Sequence, residues 1–469
     1  MSGECDTGVL PVRNDGNVTA ARSVVTAVIS VIVFLVYVNA PTVLVHQHGL
    51  PTLVGAVVLL PLVVIVAHRV VNRGEALRFP AFIVAALIML ACHTVSAILS
   101  DRPHVGLSAV FEWLLEGVFI ALLLVNSLRT REEVYAAVRA IVAAGAVMGF
   151  VVILQKLLGP TEYGMGGFGQ LAAEHTDDFG QVRARLAGPI GEVNRFAQVM
   201  AVLIPVAVGL VFTARGKQRW IYWIATLLIC GGVALTYSRG TLVAVVLVVP
   251  FALLFGFLRL RQIVVIVLCC ALLIPTSPYL SKRIASIGQV GMQSLGLAAG
   301  GFRNADGASR GRVTSMQAAG LMFMEHPVMG IGPGMARLNY REYAVMVGGK
   351  VRSTNRRSHS LYPQLAAETG MVGLIAFLGT VAMVLLPLDR ARRRLQESDR
   401  QFWGLVCGME LAVLIHLSTS LFLHAAYIRY FWLLLALAVA AASIPGRATM
   451  TKNHMLTPQN LAGRNGALA

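Results

Sequence analysis

Residues 80–99 read PAFIVAALIMLACHTVSAIL and contain no Asp, Glu, Lys or Arg. A helix needs roughly 20 predominantly apolar residues to cross the hydrocarbon core of a bilayer. A helix that is apolar on every side over that length belongs inside a membrane or a large protein core. This stretch therefore predicts a transmembrane helix.

Similar stretches recur along the chain and predict an all-α, polytopic integral membrane protein with about 12 transmembrane helices. They occupy residues 23–40, 50–68, 80–99, 106–126, 135–157, 193–213, 220–237, 241–257, 263–279, 366–387, 402–423 and 428–445. The composition agrees, because 57% of the residues are hydrophobic, 13% are charged, and the mean hydropathy is +0.72. The first stretch is longer than the core of a signal peptide, so we expect it to be a retained span.

The charges of the loops predict the orientation. Lys and Arg concentrate in one alternating set of short loops, at Arg69, Arg73, Arg78, Arg129, Arg131, Arg215, Lys217, Arg219, Arg259, Arg261 and from Arg390 to Arg400. The opposite set holds only Arg102, Arg239 and Arg429. Cytoplasmic loops are enriched in Lys and Arg. We therefore expect cytoplasmic tails at 1–22 and 446–469, with the helices at 23–279 and 366–445.

Two long segments, 158–192 and 280–365, then lie outside the cytoplasm. The second is the large loop between the ninth and tenth helices, and it carries a net charge of +8. An anionic substrate and anchoring to anionic lipid headgroups would both explain this charge. The whole chain has a formal charge of +17. Because loops of a membrane protein carry that charge, we expect membrane lipid and no nucleic acid as a partner.

Two charged features fall at or inside the predicted spans. Arg239, in a Ser-Arg-Gly turn, interrupts an apolar run, and we place it at the outer surface because a charge in the middle of a bilayer is costly. It either snorkels and closes a hairpin or binds a substrate.

Glu112 and Glu116 are the second feature, and they share one face of a helix. They mark a functional interior or a structural ion pair with Arg102 or Arg195.

The large loop contains a predicted helix at 312–325, which ends before a His-Pro dipeptide because the residue preceding proline disfavours helix. Its apolar face is expected to comprise Val313, Met316, Ala319, Leu321 and Met324. Arg310 and Arg312 at its start oppose the helix dipole, so they face solvent or an anion. The glycine-rich stretch 329–334 is predicted to be a loop with close backbone packing, and it lacks the strand that precedes a dinucleotide-binding motif.

His359 follows Arg356 and Arg357, close to the span that starts at 366. We expect the nearby cations to lower the pKa of its imidazole and keep it able to accept a proton. The alternative is a structural histidine at the interface. No second His or carboxylate stands at ligand spacing, so we expect no metal and no cofactor.

Four motifs in order resemble the O-antigen ligase/polymerase family of bacterial polysaccharide assembly. Residues 191–197 (GEVNRFA) resemble its Gly-Asn-x-Asn-x-Phe-Ala, and 235–240 (LTYSRG) resemble its Leu-Thr-x-Ser-Arg-Gly. Arg312 followed by 324–334 (MEHPVMGIGPG) resembles its Arg-helix-His-Pro-x-x-Gly-x-Gly-x-Gly. Residues 359–362 (HSLY) with 368–373 (ETGMVG) resemble its His-Asn-x-x-Leu and Glu-x-Gly-x-x-Gly. The likeness covers about residues 185–390.

The resemblance implies a glycosyltransferase at the outer face of the bacterial inner membrane. It implies a glycan donor linked to undecaprenyl diphosphate and a lipid-anchored or carrier-linked acceptor. Arg239 and Arg312 would hold the diphosphate, and His359 would activate the acceptor hydroxyl. Arg195, Arg310, Arg356 and Arg357 are further candidate substrate-binding residues.

The chain departs from the family pattern in ways that bear on the acceptor. Ser360 stands where the family usually has Asn, Met316 stands where an aromatic residue is common, and Glu192 and Arg195 replace neutral residues. Ligase and polymerase remain alternatives, because they differ only in the acceptor. A transporter or flippase of an anionic lipid-linked glycan is the alternative of another class, but it would place charge near the midplane. A lipid-anchoring scaffold is the remaining possibility.

Overall fold

The computed structural model describes residues 15–159, 164–176, 182–264, 268, 307–348, 360–423 and 428–445. The first helices are α1 (Asp15–Tyr37), α2 (Ala40–His48), α3 (Val54–Val71), α4 (Ala81–Ile98), α5 (Pro103–Trp113), a π-helix (Leu114–Phe119), α6 (Ile120–Ser127) and α7 (Arg131–Leu158). A short 3-10 turn (Met165–Gly167) and strands β1 (Gln170–Thr176) and β2 (Val182–Gly188) follow. The remaining helices are α8 (Val193–Ala201), α9 (Leu203–Thr213), α10 (Lys217–Leu235), α11 (Arg239–Leu254), α12 (Gly307–Glu325), α13 (Met335–Met346), α14 (Leu361–Ser398), α15 (Arg400–Thr419) and α16 (Arg429–Ser443).

The all-α, polytopic class is confirmed. Within the described ranges, 8 helices are long and apolar enough to cross a membrane, or 9 if α1 and α2, which bend by 51° at their break, form one span. Two more apolar helices, α11 and α16, are shorter. Most of the predicted span 263–279 lies outside the described residues, so the total of about 12 spans stays a prediction.

A small antiparallel hairpin interrupts this helical fold within the predicted outer segment 158–192. Strand β1 pairs with β2, with Leu171 opposite Leu186. Leu186 and Ala187 are buried, so the hairpin packs down onto the helices. The pattern of apolar residues did not predict these strands.

Helix α14 differs from its predicted bounds at both ends. It begins at Leu361, before the expected start at 366, and continues to Ser398. The arginines from Arg390 to Arg394 therefore lie on the last turns of this helix and not in a loop, and Arg400 begins α15. Arginine stems can cover apolar surface while the guanidinium reaches polar groups, which makes such a continuation favourable.

Buried ion pairs occupy the end of the bundle that the loop charges predict to be cytoplasmic. Arg69 pairs with Glu133, and Arg392 donates from Nε to Glu410 Oε2 at 2.8 Å. A buried charge needs a partner of opposite charge. Arg69 and Arg392, which the sequence analysis uses only to predict orientation, therefore also form structural ion pairs.

Candidate functional site

A polar cavity of about 550 Å³ lies at the opposite end of the bundle. Helices α2, α4, α5, α8, α13, α14 and α16 and the π-helical turn all contribute lining residues. Its charged lining consists of three arginines and three glutamates, namely Arg195, Arg337, Arg429, Glu112, Glu116 and Glu368. Clefts of this volume, with a few converging polar groups, are typical of ligand-binding sites.

Arg195 enters the cavity from the first turn of α8. The N-cap of that helix is Glu192, whose carboxylate accepts hydrogen bonds from the backbone N–H groups of Asn194 and Arg195 at 3.0 and 2.8 Å. An acidic cap suits the positive end of the helix dipole. Glu192 therefore has a structural role, whereas the Nε of Arg195 is buried with no hydrogen-bond partner in the described part of the chain.

Glu116 has a different partner from the one expected. The sequence suggested Arg102 or Arg195, but Glu116 Oε1 accepts a hydrogen bond from Arg429 Nη2 at 3.3 Å. The same Nη2 donates to Thr42 Oγ1 at 3.1 Å. The sequence did not reveal this pair, because its members are separated by 313 residues.

A π-helical turn carries Glu116. Its neighbour Gly117 allows close packing, because a Cβ there would lie 2.8 Å from the Trp113 ring and 3.0 Å from the Trp432 ring. Single π-turns inside α-helices are often found at functional sites. Glu112 lines the same cavity one turn earlier, and it forms no ion pair within the described ranges.

The Ser-Arg-Gly turn is constrained by its neighbours. Tyr237 adopts φ 52°, a left-handed conformation that costs a bulky residue energy and is often found at functional sites. Thr236 accepts hydrogen bonds at its carbonyl from Arg185 Nε and Nη2, at 3.2 and 2.8 Å. The hairpin thus holds the residues that lead into Arg239.

The same turn is joined to the start of α8. Ser238 Oγ donates to Asn194 Oδ1 at 3.1 Å, and Asn194 is the neighbour of Arg195 in the chain. The half-buried Arg239 begins α11 and does not line the cavity itself. The first two family-like motifs therefore meet through this hydrogen bond, although they are far apart in the sequence.

The loop helix α12 ends at Glu325, as predicted, but its buried face matches the expected one only in part. Ala319 is buried, as expected. Met316 and Met324 are 41% and 74% exposed, whereas Ala318 and Met322 are buried in their place. The spacing of the apolar residues alone did not identify the buried face, because apolar residues are found all around the helix. Arg310 and Arg312 lie in this helix, and their side chains are outside the described part of the structure.

The end of α12 is tied to α13. Tyr343 donates its hydroxyl proton to the carboxylate of Glu325. Burial, and next the contact with Glu325, raise the pKa of Tyr343 to about 12. The phenol therefore stays protonated at neutral pH and remains a hydrogen-bond donor.

The glycine-rich loop braces a break in α14, which confirms the predicted close backbone packing. Gly370 interrupts the helix with φ 63°, and a Cβ there would lie 2.1 Å from the carbonyl oxygen of Val328. Gly330 approaches from the other side, where a Cβ would lie 2.4 Å from the carbonyl carbon of Glu368. Only glycine allows both backbones to approach so closely.

Four backbone hydrogen bonds hold the brace together. Ile331 N donates to Ala367 O, Gly332 N to Glu368 O, Met371 N to Pro327 O and Val372 N to Val328 O, at 2.8 to 3.3 Å. Ser96 Oγ lies 2.6 Å from Met329 O and 2.9 Å from Glu368 O. The third and fourth motifs therefore form one structural unit.

This unit directs Glu368 towards the cavity. Glu368 is 1% exposed, and it accepts a hydrogen bond from Gln364 Nε2 at 2.9 Å. Both residues line the cavity, as does the buried His93. Of these, the sequence identified Glu368 only as part of a motif.

His359, Arg356 and Arg357 lie outside the described residues, so their roles stay predictions. Ser360, directly after His359 in the chain, is buried, and Leu361 N donates to Ser420 O at 2.9 Å. Sequence reasoning missed Arg429, Tyr430 and Arg337 as lining residues of the cavity. In the sequence, Arg429 is notable only as one of the few cations in the predicted outer loops.

Comparison with known proteins agrees with the ordered motifs. Residues 224–378 match the family model described as O-antigen ligase. This range contains Arg239, Arg312, His359 and the braced break in α14, and the match confirms the family resemblance. Among curated proteins, no match was found.

Proposed function

We propose that this O-antigen ligase-type protein is a glycosyltransferase that moves a glycan from undecaprenyl diphosphate to an acceptor hydroxyl. The observation that carries the proposal is the family match over residues 224–378, which contains the three residues assigned to the chemistry. The transfer takes place at the outer face of the bacterial inner membrane.

The reaction replaces one bond to the anomeric carbon of the donor. The acceptor oxygen attacks that carbon, and the bond from the carbon to the diphosphate oxygen breaks. The diphosphate leaves with the electron pair, and the proton of the acceptor hydroxyl passes to His359. A neutral imidazole is suited to accept a proton at neutral pH.

Arg239 and Arg312 compensate the charge that develops on the leaving diphosphate. Guanidinium groups stay protonated and bind phosphate oxygens through paired donors, which an ammonium group cannot do. Fixed donors aimed at developing charge contribute several kcal/mol to catalysis in a site with little water. Arg310, Arg356 and Arg357 supply further positive charge for the donor, and no metal ion is required.

The polar cavity accommodates part of the substrate beside these groups. Its lining offers carboxylates, guanidinium groups and two amides, which match the donors and acceptors of sugar hydroxyls. The Ser238–Asn194 hydrogen bond connects the turn of Arg239 to the helix that carries Arg195. The turn of Arg239 and the cavity are therefore adjacent parts of one donor-binding site in this proposal.

Profiling of lipid-linked glycans in a deletion strain tests the function. We expect lipid-linked glycan to accumulate at the outer leaflet and the acceptor to remain unmodified, with recovery by the wild-type gene but not by Arg239→Ala. Accumulated long chains would identify a ligase, and accumulated single repeats a polymerase. An unchanged surface glycan, or precursor confined to the cytoplasmic leaflet as expected for loss of a flippase, would contradict the proposal.

A further inference from the structure

The cavity contains hydrogen-bond donors with unfilled capacity. Besides the Arg195 Nε, the hydroxyl of Tyr430 is buried without a hydrogen-bond partner in the part of the chain that the structure describes. Tyr430 is 7% exposed, and both residues line the cavity. A buried donor left unpaired costs about 1–3 kcal/mol, so these two donors lining one cavity are suited to bind an acceptor that enters it.

Three charged side chains lie near Tyr430. Its hydroxyl lies within electrostatic range of Arg195, Arg429 and Glu116. The two arginines come from different helices, α8 and α16, and converge on the same space. Guanidinium groups that converge in this way are suited to a phosphate, whose oxygens accept several hydrogen bonds at once.

Glu116 is the group that neutralises one of these arginines. Its contact with Arg429, at 3.3 Å, is long for a charge-assisted hydrogen bond, which is commonly 2.7–2.9 Å. The side chains of Arg429 and Glu116 are 20% and 41% exposed, so the pair can be reached from the cavity. An anion with more oxygens than a carboxylate would compete effectively for Arg429.

We propose that Arg195 and Arg429 form a phosphate-binding site in the cavity, and that the phosphate displaces Glu116 from Arg429. The ligand is a phosphoryl group of a lipid-linked substrate, so the inference rests on the proposed function and specifies one more contact of the same site. Tyr430 donates its hydroxyl proton to the same phosphate once Glu116 has withdrawn. Arg429 and Tyr430 lie beyond the family match at 224–378, so that match assigns them nothing.

Binding of farnesyl diphosphate to the purified full-length protein in phosphatidylcholine nanodiscs tests this site. Arg195→Gln and Arg429→Gln should each weaken binding by roughly 10- to 100-fold, the usual effect of losing a hydrogen bond to a charged group. Glu116→Gln should strengthen binding, because the competing carboxylate is lost while the shape is kept. Arg102→Gln removes the same charge from an exposed residue outside the cavity, and it should bind as the wild type does.

The source of the phosphate is decided by a second arm with phosphatidylglycerol added to the nanodiscs. If phosphatidylglycerol competes with farnesyl diphosphate, and Arg429→Gln abolishes that competition, the site binds a lipid phosphate. If phosphatidylglycerol does not compete, the site binds the carrier diphosphate. A purely structural ion pair gives another pattern, in which Glu116→Gln and Arg429→Gln lower the melting temperature equally and leave the Kd unchanged. That pattern would overturn the proposal.

Failure of this site and failure of the proposed function can be told apart. If Arg195→Gln and Arg429→Gln bind farnesyl diphosphate normally while Arg239→Ala abolishes glycan transfer, the cavity site is wrong and the transferase stands. If the cavity variants lose binding while transfer is unaffected by Arg239→Ala, the phosphate site stands and the assigned catalytic arginine is wrong.

Discussion

Replacing Gly370 by alanine should detach the glycine-rich loop from the break in α14. The new Cβ would lie 2.1 Å from Val328 O and 2.3 Å from Val328 C, which are backbone atoms that cannot rotate away. A residue with a Cβ also pays about 1–2 kcal/mol for the left-handed conformation. If two of the four bracing hydrogen bonds are lost as well, they cost about 1 kcal/mol each. The state in which the glycine-rich loop packs against the break in α14, the seated loop, is then destabilised by roughly 3–4 kcal/mol.

Such a destabilisation shifts the balance between seated and detached loop by roughly 100- to 1,000-fold. Hydrogen exchange measured by mass spectrometry should therefore show faster exchange at the bracing amides of Ile331, Gly332, Met371 and Val372. Transfer activity should fall in parallel, because Glu368 and Gln364 are no longer held at the cavity.

Gly379→Ala is the matched control in the same helix. A Cβ at Gly379 would meet no atom within 4 Å, and its backbone φ is not left-handed. Alanine in a helix is favoured over glycine by about 1 kcal/mol, so this variant should be as stable as the wild type or slightly more stable. Unchanged exchange at the bracing amides in Gly370→Ala would refute the assigned role of the brace.

Three further predictions concern the orientation and the chemistry. Alkaline phosphatase fused within 290–305 should be active and fused near 395 inactive, and the reverse pattern would remove the site from the outer face. Arg239→Ala and Arg312→Ala should each abolish transfer without lowering expression. Lysine at either position should restore little activity, because it lacks the paired donors of arginine. Full activity of either alanine variant would exclude that arginine from the site. The rate of transfer should fall as the pH drops through the pKa of His359, because protonation removes the base, and His359→Asn should be as inactive as His359→Ala; an active asparagine variant would indicate a helix-capping role.

The sequence predicted those parts of the fold that depend on local pattern. Long apolar stretches predicted the helices, and the Ser-Arg-Gly turn separates α10 from α11 as expected from the cost of a charge in the bilayer. The His-Pro dipeptide ended α12, because proline acts on the residue immediately before it. These features are set within a few residues, so one sequence is enough to find them.

The parts that were missed depend on contacts between distant segments. The Arg429–Glu116 pair and the contact of Arg185 with Thr236 form only when helices and hairpin meet. The predicted buried face of α12 was right at Ala319 but wrong at Met324 for a related reason, since tertiary packing buries Ala318 instead. Of the candidate site residues, Arg195 lines the cavity and Arg239 lies near it. His359 is outside the part of the chain that the structure describes.

The most direct measurement of the central claim is transfer by the purified protein with a glycan linked to undecaprenyl diphosphate and a hydroxyl acceptor. We expect one free undecaprenyl diphosphate to be released for each glycan transferred, with no effect of EDTA because arginines compensate the charge of the leaving group. Arg239→Ala should release none, while its expression and folding are unchanged. Movement of the intact lipid-linked glycan across the membrane without cleavage of its anomeric bond, or equal release by Arg239→Ala, would contradict the account.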